Sequence, residues 1–341
     1  MKCPHIGSLP SGRHDAISDV GEIRVGHCTL NRESLQTGVT VVVPHAGDPF
    51  IDKVPAAAVV INGFGKSVGL IQVEELGVLE TPIALTNTFG VSAVAQAQIR
   101  EAIAAHPEIG REWSTLNPLV LECNDGFLND IQALAISEAH YRQAIGSANA
   151  RCLQGCVGAG RGMSAFELKG GVGTASRRCG AYTVGSLVLA NFGKLENLLL
   201  AGKPIGRALA EHKKADDTPE KGSIIMLIAT DAPLDARQLR RLALRACAGL
   251  ARTGSVFGHG SGDIALAFST AYTVPHLASQ PMPALAMVHE TQLDPLFHAA
   301  ADATEQAILH ALWHAETVHG RDGHCRRALP EVLVQYSERS D

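Results

Sequence analysis

The chain has 341 residues, of which 46% are hydrophobic and only 4% aromatic, and carries a formal net charge of −5. This length and apolar share are ample for a packed core in one large domain or two. No basic surplus is present to neutralise phosphates, which argues against a nucleic-acid partner, and no run of 18 apolar residues marks a membrane-spanning helix. Residues 1–16 contain Pro4, Pro10, Arg13 and Asp15 and lack the apolar stretch of a signal peptide. The eight cysteines (Cys3, Cys28, Cys123, Cys152, Cys156, Cys179, Cys247 and Cys325) are scattered and form no CxxC pair. Neither a zinc ribbon nor a disulfide framework is indicated, so we expect reduced thiols in a cytoplasmic protein.

Strands are expected over Val39–Val43 and Ala56–Ile61, joined by the loop Pro44–Pro55. Leu70, Val73 and Leu76 recur at helical spacing within residues 67–79, and Pro82–Thr86 reads as another strand. Residues 91–105 are rich in alanine, the strongest helix former. Leu119–Glu122 is a strand that enters an Asn-Asp-Gly turn, leaving Glu122 at an apolar strand end where a charge needs a partner. Residues 155–174 are dense in glycine but lack both the GxGxxG strand-turn-helix context and a Walker ending. They read as loops and close backbone packing rather than a nucleotide site. Tyr182–Ala190 is a strand ending at Asn191-Phe192-Gly193.

The most informative junction follows. Residues 211–221, EHKKADDTPEK, have no apolar face, whereas Ile224–Ala229 is continuously apolar. A polar loop covering 203–222 thus runs into a buried strand, with Gly222-Ser223 at the join. Such a pair is commonly a turn. It also places a hydroxyl beside a glycine carbonyl. Ser223 could attack that carbonyl, shift the acyl group from N to O and, after hydrolysis, begin a new chain. Its α-amine, titrating at about 7.7–8, could then act as general base.

Beyond the junction, Asp235–Arg252 reads as one amphipathic helix, with Leu239, Leu242, Ala246 and Leu250 inward and Arg237, Arg240, Arg241 and Arg245 mostly towards solvent. Ser261 and Asp263 stand two apart at the start of the strand Ile264–Phe268 and would share a face if extended. Nearby His259 is a rival base. Asp294–His319 reads as a helix that carries His310 and His314 one turn apart. With no HExxH and no defined third ligand, an exposed helix face is expected there rather than a metal site. Residues 326–341 read as a tail. No repeat or interdomain linker is evident, and the alternation of strands and helices points to the α/β class.

Taken together, several motifs resemble one family. They are Ile23-Arg24-Val25-Gly26-His27, Asn62-Gly63, Glu80 to Thr88, Glu122 to Asp130, Lys169 to Thr174, Ala190 to Gly193, Gly222 to Leu234, Gly260 to Asp263 and Ala267 to Thr270. In this order they are similar to the DmpA-like L-aminopeptidase/D-esterase and β-peptidyl aminopeptidase family, over nearly the whole chain. The resemblance implies a single N-terminal-nucleophile-like domain, a four-layer αββα sandwich cut into an α chain (1–222) and a β chain (223–341). It implies Ser223 as nucleophile, Asn191 as an oxyanion donor, Ser261 and Asp263 hydrogen-bonded around the nucleophile, and Glu122 holding the substrate's free amino group. It further implies peptide, aminoacyl amide or ester substrates, a homo-oligomer, and no metal or organic cofactor. One departure stands out. Some members contribute a tyrosine from the motif around Glu122, whereas here Asn124 and Phe127 occupy those positions. Two rivals are an acyltransferase of the ornithine acetyltransferase type, which uses threonine, and an uncleaved peptide-binding homologue.

Overall fold

The computed structural model describes residues 2–210 and 221–340. Residues 211–220 of the loop expected before the Gly222-Ser223 junction lie outside the described residues. The first sheet has four strands in the order β1 (Arg24–Arg32), β2 (Leu35–Val43), β5 (Ile83–Asn87) and β6 (Val120–Cys123). The second runs β13 (Val274–Pro275), β3 (Asp52–Gly63), β12 (Gly260–Ser269), β11 (Lys221–Thr230), β10 (Tyr182–Asn191) and β9 (Gly171–Cys179), with β4 (Val78–Leu79) added on β3. Two short hairpins, β7 (Ser164–Ala165) with β8 (Leu168–Lys169) and β14 (Val318–His319) with β15 (Cys325–Arg326), lie outside both sheets.

The apolar run after Ser223 is explained by its place in this order. β11 is central, antiparallel to β10 and parallel to β12, and Ile224 to Ala229 are all fully buried. Strand side chains alternate between faces. Ile224, Met226 and Ile228 accordingly enter a core shared with helices, while Ile225, Leu227 and Ala229 enter the core between the sheets. A third core joins Val39, Val41, Ala84 and Val120 of the smaller sheet to Val94, Ala97, Tyr141 and Ala144. Those last four lie on α2 (Val91–Ala105) and α3 (Glu138–Gly146). Three stacked cores separate four layers, the αββα order that the family resemblance implies.

The helical layer on the larger sheet is built from α5 (Ala236–Leu244), α6 (Ala246–Arg252), α7 (Asp294–Trp313) and α8 (Leu329–Ser340). It departs from expectation at several places. The helix expected over Asp235–Arg252 divides at Arg245, whose N–H donates to the Leu242 carbonyl in a tightened turn. Its arginines are not simply solvated: the Arg245 guanidinium sits 3.8 Å from the Phe297 ring centroid, and Arg237 and Arg241 both pair with Glu290. α7 stops at Trp313 rather than His319 and is buried along most of its length. His310 is therefore no exposed metal-ready residue; its Nδ1 bonds the Thr174 carbonyl at 2.7 Å and its Nε2 faces Gln306 at 3.1 Å. The expected tail is helix α8, anchored by buried Leu329 and Leu333. Part of the expected loop 203–222 is also ordered, with α4 (Ile205–Ala210) on one side and β11 already paired from Lys221 on the other.

Two further strands were not legible as strands. β1 looked like motif rather than element because Gly26, His27 and Asn31 interrupt its alternation. β9 begins within the glycine-rich run. Its Gly173 has no room for a side chain, since a Cβ there would come within 1.9 Å of the Ala307 carbonyl oxygen on α7. The glycines of this region are packing devices, as the sequence suggested.

A buried polar network fixes the loop after β6. Asn129 Nδ2 donates to Asp125 Oδ1 at 3.0 Å, and the Gln36 N–H donates to Asn129 Oδ1 at 3.0 Å. Asp125 is almost wholly buried. Burial pushes its carboxyl up to about 6, although hydrogen bonding from Thr37, Asn129 and Asn87 pulls the other way. A raised carboxyl pKa means that the folded state holds a proton which the unfolded chain has lost. Stability should therefore fall as pH rises from about 4 to about 6 and level off above. In urea unfolding across this range, Asp125→Asn should gain stability relative to the parent chain. Parallel profiles would show that Asp125 is not the group responsible.

Candidate active site

Ser223 is the third residue of β11, opposite Asn191 of β10 and Gly262 of β12. Its hydroxyl donates to the carbonyl oxygen of Gly222 at 2.6 Å, and the Gly262 N–H donates to Ser223 Oγ at 3.2 Å. Both glycines are required by close approach. A Cβ on Gly222 would lie 2.4 Å from the Asn191 carbonyl oxygen, and one on Gly262 would lie 2.7 Å from that of Phe64. The Gly222-Ser223 peptide is therefore clamped within a sheet rather than carried on a turn.

On the β10 side, Asn191 is held by both ends of its amide. Its Oδ1 accepts from the Ser164 N–H at 2.8 Å, and its Nδ2 donates to the Asn124 carbonyl at 3.0 Å. A primary amide has two N–H donors, so the second remains for a ligand. The backbone carrying Ser164 is itself fixed by Lys169, which is fully buried. Lys169 Nζ donates to the carbonyls of Gly160, Met163 and Gly170 at 2.9, 2.8 and 2.7 Å. Burial lowers its pKa to about 8.

On the β12 side, Ser261 Oγ donates to Asp263 Oδ1 at 2.6 Å, and both side chains are buried. The shared face expected from their spacing is present. Glu122 is also buried. Its Oε1 accepts from the Lys66 N–H at 2.8 Å, and its Oε2 accepts from the Thr88 hydroxyl. A Cβ built on Gly65 would lie 3.6 Å from Glu122 Oε1 and 3.9 Å from the Gly262 Cα, so Gly65 lies between the carboxylate and Gly262. His259 instead faces the exposed Phe64 ring, centroids 6.4 Å apart.

The strand register sets Asn191 and Gly262 opposite Ser223 and Ser261 opposite Gly222, with Asp263 hydrogen-bonded to Ser261. The structure adds three groups that sequence reasoning missed: the Gly262 N–H, the Lys66 N–H and Thr88. Backbone donors leave no residue-type signal. Thr88 stood within the Glu80–Thr88 motif without a stated role. A cavity of about 450 Å³ opens beside Glu122, lined by Val68, Thr88, Phe89, Val91, Ser92 and Leu134. The Asn124 position supplies its backbone carbonyl to Asn191, and the Phe127 ring stacks on His324 at 4.5 Å. Among the described residues no cluster of three or more His, Cys, Asp or Glu side chains could hold a metal ion, and no helix is long and apolar enough to cross a membrane.

The chain is 36% identical over 335 residues to the β-peptidyl aminopeptidase BapA of Sphingosinicella xenopeptidilytica, covering 91% of this chain and 83% of that protein. It superposes on a Burkholderia sp. β-aminopeptidase with a TM-score of 0.90 and 40% identity, over 98% of this chain and 96% of that one. It also superposes on the L-aminopeptidase D-Ala-esterase/amidase of Ochrobactrum anthropi, described as a variant of the Ntn-hydrolase fold. The TM-score is 0.88 at 33% identity, again over 98% and 96% of the two chains. Residues 15–326 match Peptidase family S58, and the chain belongs to that family.

Proposed function

We propose that this aminopeptidase cuts its own chain between Gly222 and Ser223 and then works with Ser223 as nucleophile and the new α-amine as general base. The observation that carries the reading is the 2.6 Å contact of Ser223 Oγ with the carbonyl of its own preceding residue, inside a sheet that holds both rigid. Attack of Oγ on the Gly222 carbonyl carbon forms a C–O bond and breaks the C–N bond, leaving an ester and a free amine. Water then releases Gly222 as a carboxylate and Ser223 as a chain start.

In turnover the freed amine takes the Ser223 hydroxyl proton, and Oγ attacks the carbonyl of the substrate's first residue; the scissile C–N bond breaks, the leaving amine takes that proton, and water then hydrolyses the acyl ester to free Ser223. The second N–H of the Asn191 amide and the Gly262 N–H stabilise the oxyanion. Asp263 holds the α-ammonium, while Ser261, bonded to Asp263, relays a proton. Glu122 receives the substrate's ammonium, already aimed by the Lys66 N–H and Thr88. The first side chain of the substrate then occupies the cavity walled by Phe89 and Leu134. Substrates are short peptides, aminoacyl amides or esters with a free N-terminus. The activities in the relatives' names support this class, and no cofactor enters the steps. Eight free cysteines support a reducing compartment such as the cytoplasm.

Ser223→Ala should abolish hydrolysis of aminoacyl p-nitroanilides; retained turnover would remove Ser223 from the nucleophile role. Asn191→Ala should lower kcat by about 10²–10³ with little change in KM, as read by steady-state kinetics on matured enzyme; a change confined to KM would assign Asn191 to ground-state binding. Glu122→Gln should cut kcat/KM for free-amine substrates far more than for N-acetylated ones. An equal loss on both would rule out amine recognition by Glu122.

A further inference from the structure

Arg326 closes the β14–β15 hairpin, and its guanidinium lies 3.6 Å from the Phe127 ring centroid. His324 stacks on the same ring at 11°, so the two occupy opposite faces. Arg326 Nε donates to Ser164 Oγ at 3.2 Å, and the Ser164 N–H is the group that holds Asn191 Oδ1. Arg321 braces the assembly by donating from Nε to the Gly126 carbonyl at 2.7 Å. Arg326 is partly buried, and burial lowers its pKa, yet no carboxylate pairs with it among the described residues. A guanidinium in such a place offers a planar fork of N–H donors suited to a carboxylate.

The strand order shows which carboxylate fits. Ser223 has β12 on one side, leading through Gly262 and Gly65 to Glu122, and β10 on the other, leading through Asn191 and Ser164 to Arg326. A carboxylate from β6 is thus reached from the β12 side of Ser223, and a guanidinium from β15 from the β10 side. With the substrate ammonium on Glu122, the residue leaving from the scissile bond extends towards Arg326, at about 3.5 Å per residue. We propose that Arg326 binds the free C-terminal carboxylate of short peptides on the leaving-group side of Ser223, making the enzyme selective for dipeptides over aminoacyl amides.

This inference rests on the aminopeptidase reading above, and a matched substrate pair separates the two. We would compare kcat/KM for an aminoacyl-alanine dipeptide with a free carboxylate and for its C-terminal amide. A charge-assisted contact predicts a preference for the acid of about 10- to 100-fold in the parent enzyme. Arg326→Gln should bring the ratio close to one and Arg326→Lys should keep part of it, whatever either change does to the absolute rate. Lys66, an exposed cation over the Phe64 ring at 4.1 Å, is the competing partner. Equal turnover of acid and amide by the parent enzyme would overturn the proposal. A preference that survives Arg326→Gln, or one lost in Lys66→Gln instead, would do the same. Turnover of neither substrate would instead overturn the aminopeptidase reading itself and this inference with it.

Discussion

Three backbones approach so closely around Ser223 that only glycine fits at Gly222 and Gly262. This constraint fixes the Gly222-Ser223 peptide, the Ser223 hydroxyl and the Gly262 N–H in one rigid unit. A nucleophile on a loop would need to be ordered before each reaction, whereas here the ordering entropy is met by the folding of the sheet. The buried run Ile224–Ala229 supplies the anchorage, because side chains on both faces of β11 are locked in separate cores.

The two neighbouring strands divide the chemistry. β10 carries Asn191, with its amide pinned by Ser164 and Asn124 and the Ser164 loop pinned in turn by the three carbonyl contacts of Lys169. β12 carries the Ser261–Asp263 pair and the Gly262 N–H. Glu122 arrives from the other sheet, so its position relative to Ser223 depends on how the two sheets stack.

Much of this was legible in the residues. The abrupt change from a charged segment to Ile224–Ala229 identified β11 because only a strand buried on both faces tolerates that composition. The alanine-rich run 91–105 matched α2 residue for residue. Serine and aspartate two apart at a strand entrance turned out to be hydrogen-bonded. Family resemblance, rather than spacing, singled out Glu122 and Asn191, since a strand-end glutamate and a pre-glycine asparagine are common. What escaped depended on tertiary context. Arg326 reads as the start of a tail until the hairpin places it on Phe127. The Gly262 and Lys66 N–H groups have no sequence signature. His310 looked exposed because helical spacing does not reveal that α7 is covered by the sheet and α6. The break at Arg245 follows from local turn geometry that an amphipathic pattern averages away.

Peptidase family S58 membership and the shared fold establish the kind of protein; self-cleavage is the claim on which the mechanism turns. Denaturing mass spectrometry of the freshly purified protein, with N-terminal identification of each chain, tests it most directly. The account predicts two chains, the second beginning at Ser223. A single intact chain that still hydrolyses aminoacyl amides, or a cut at any other bond, would contradict it.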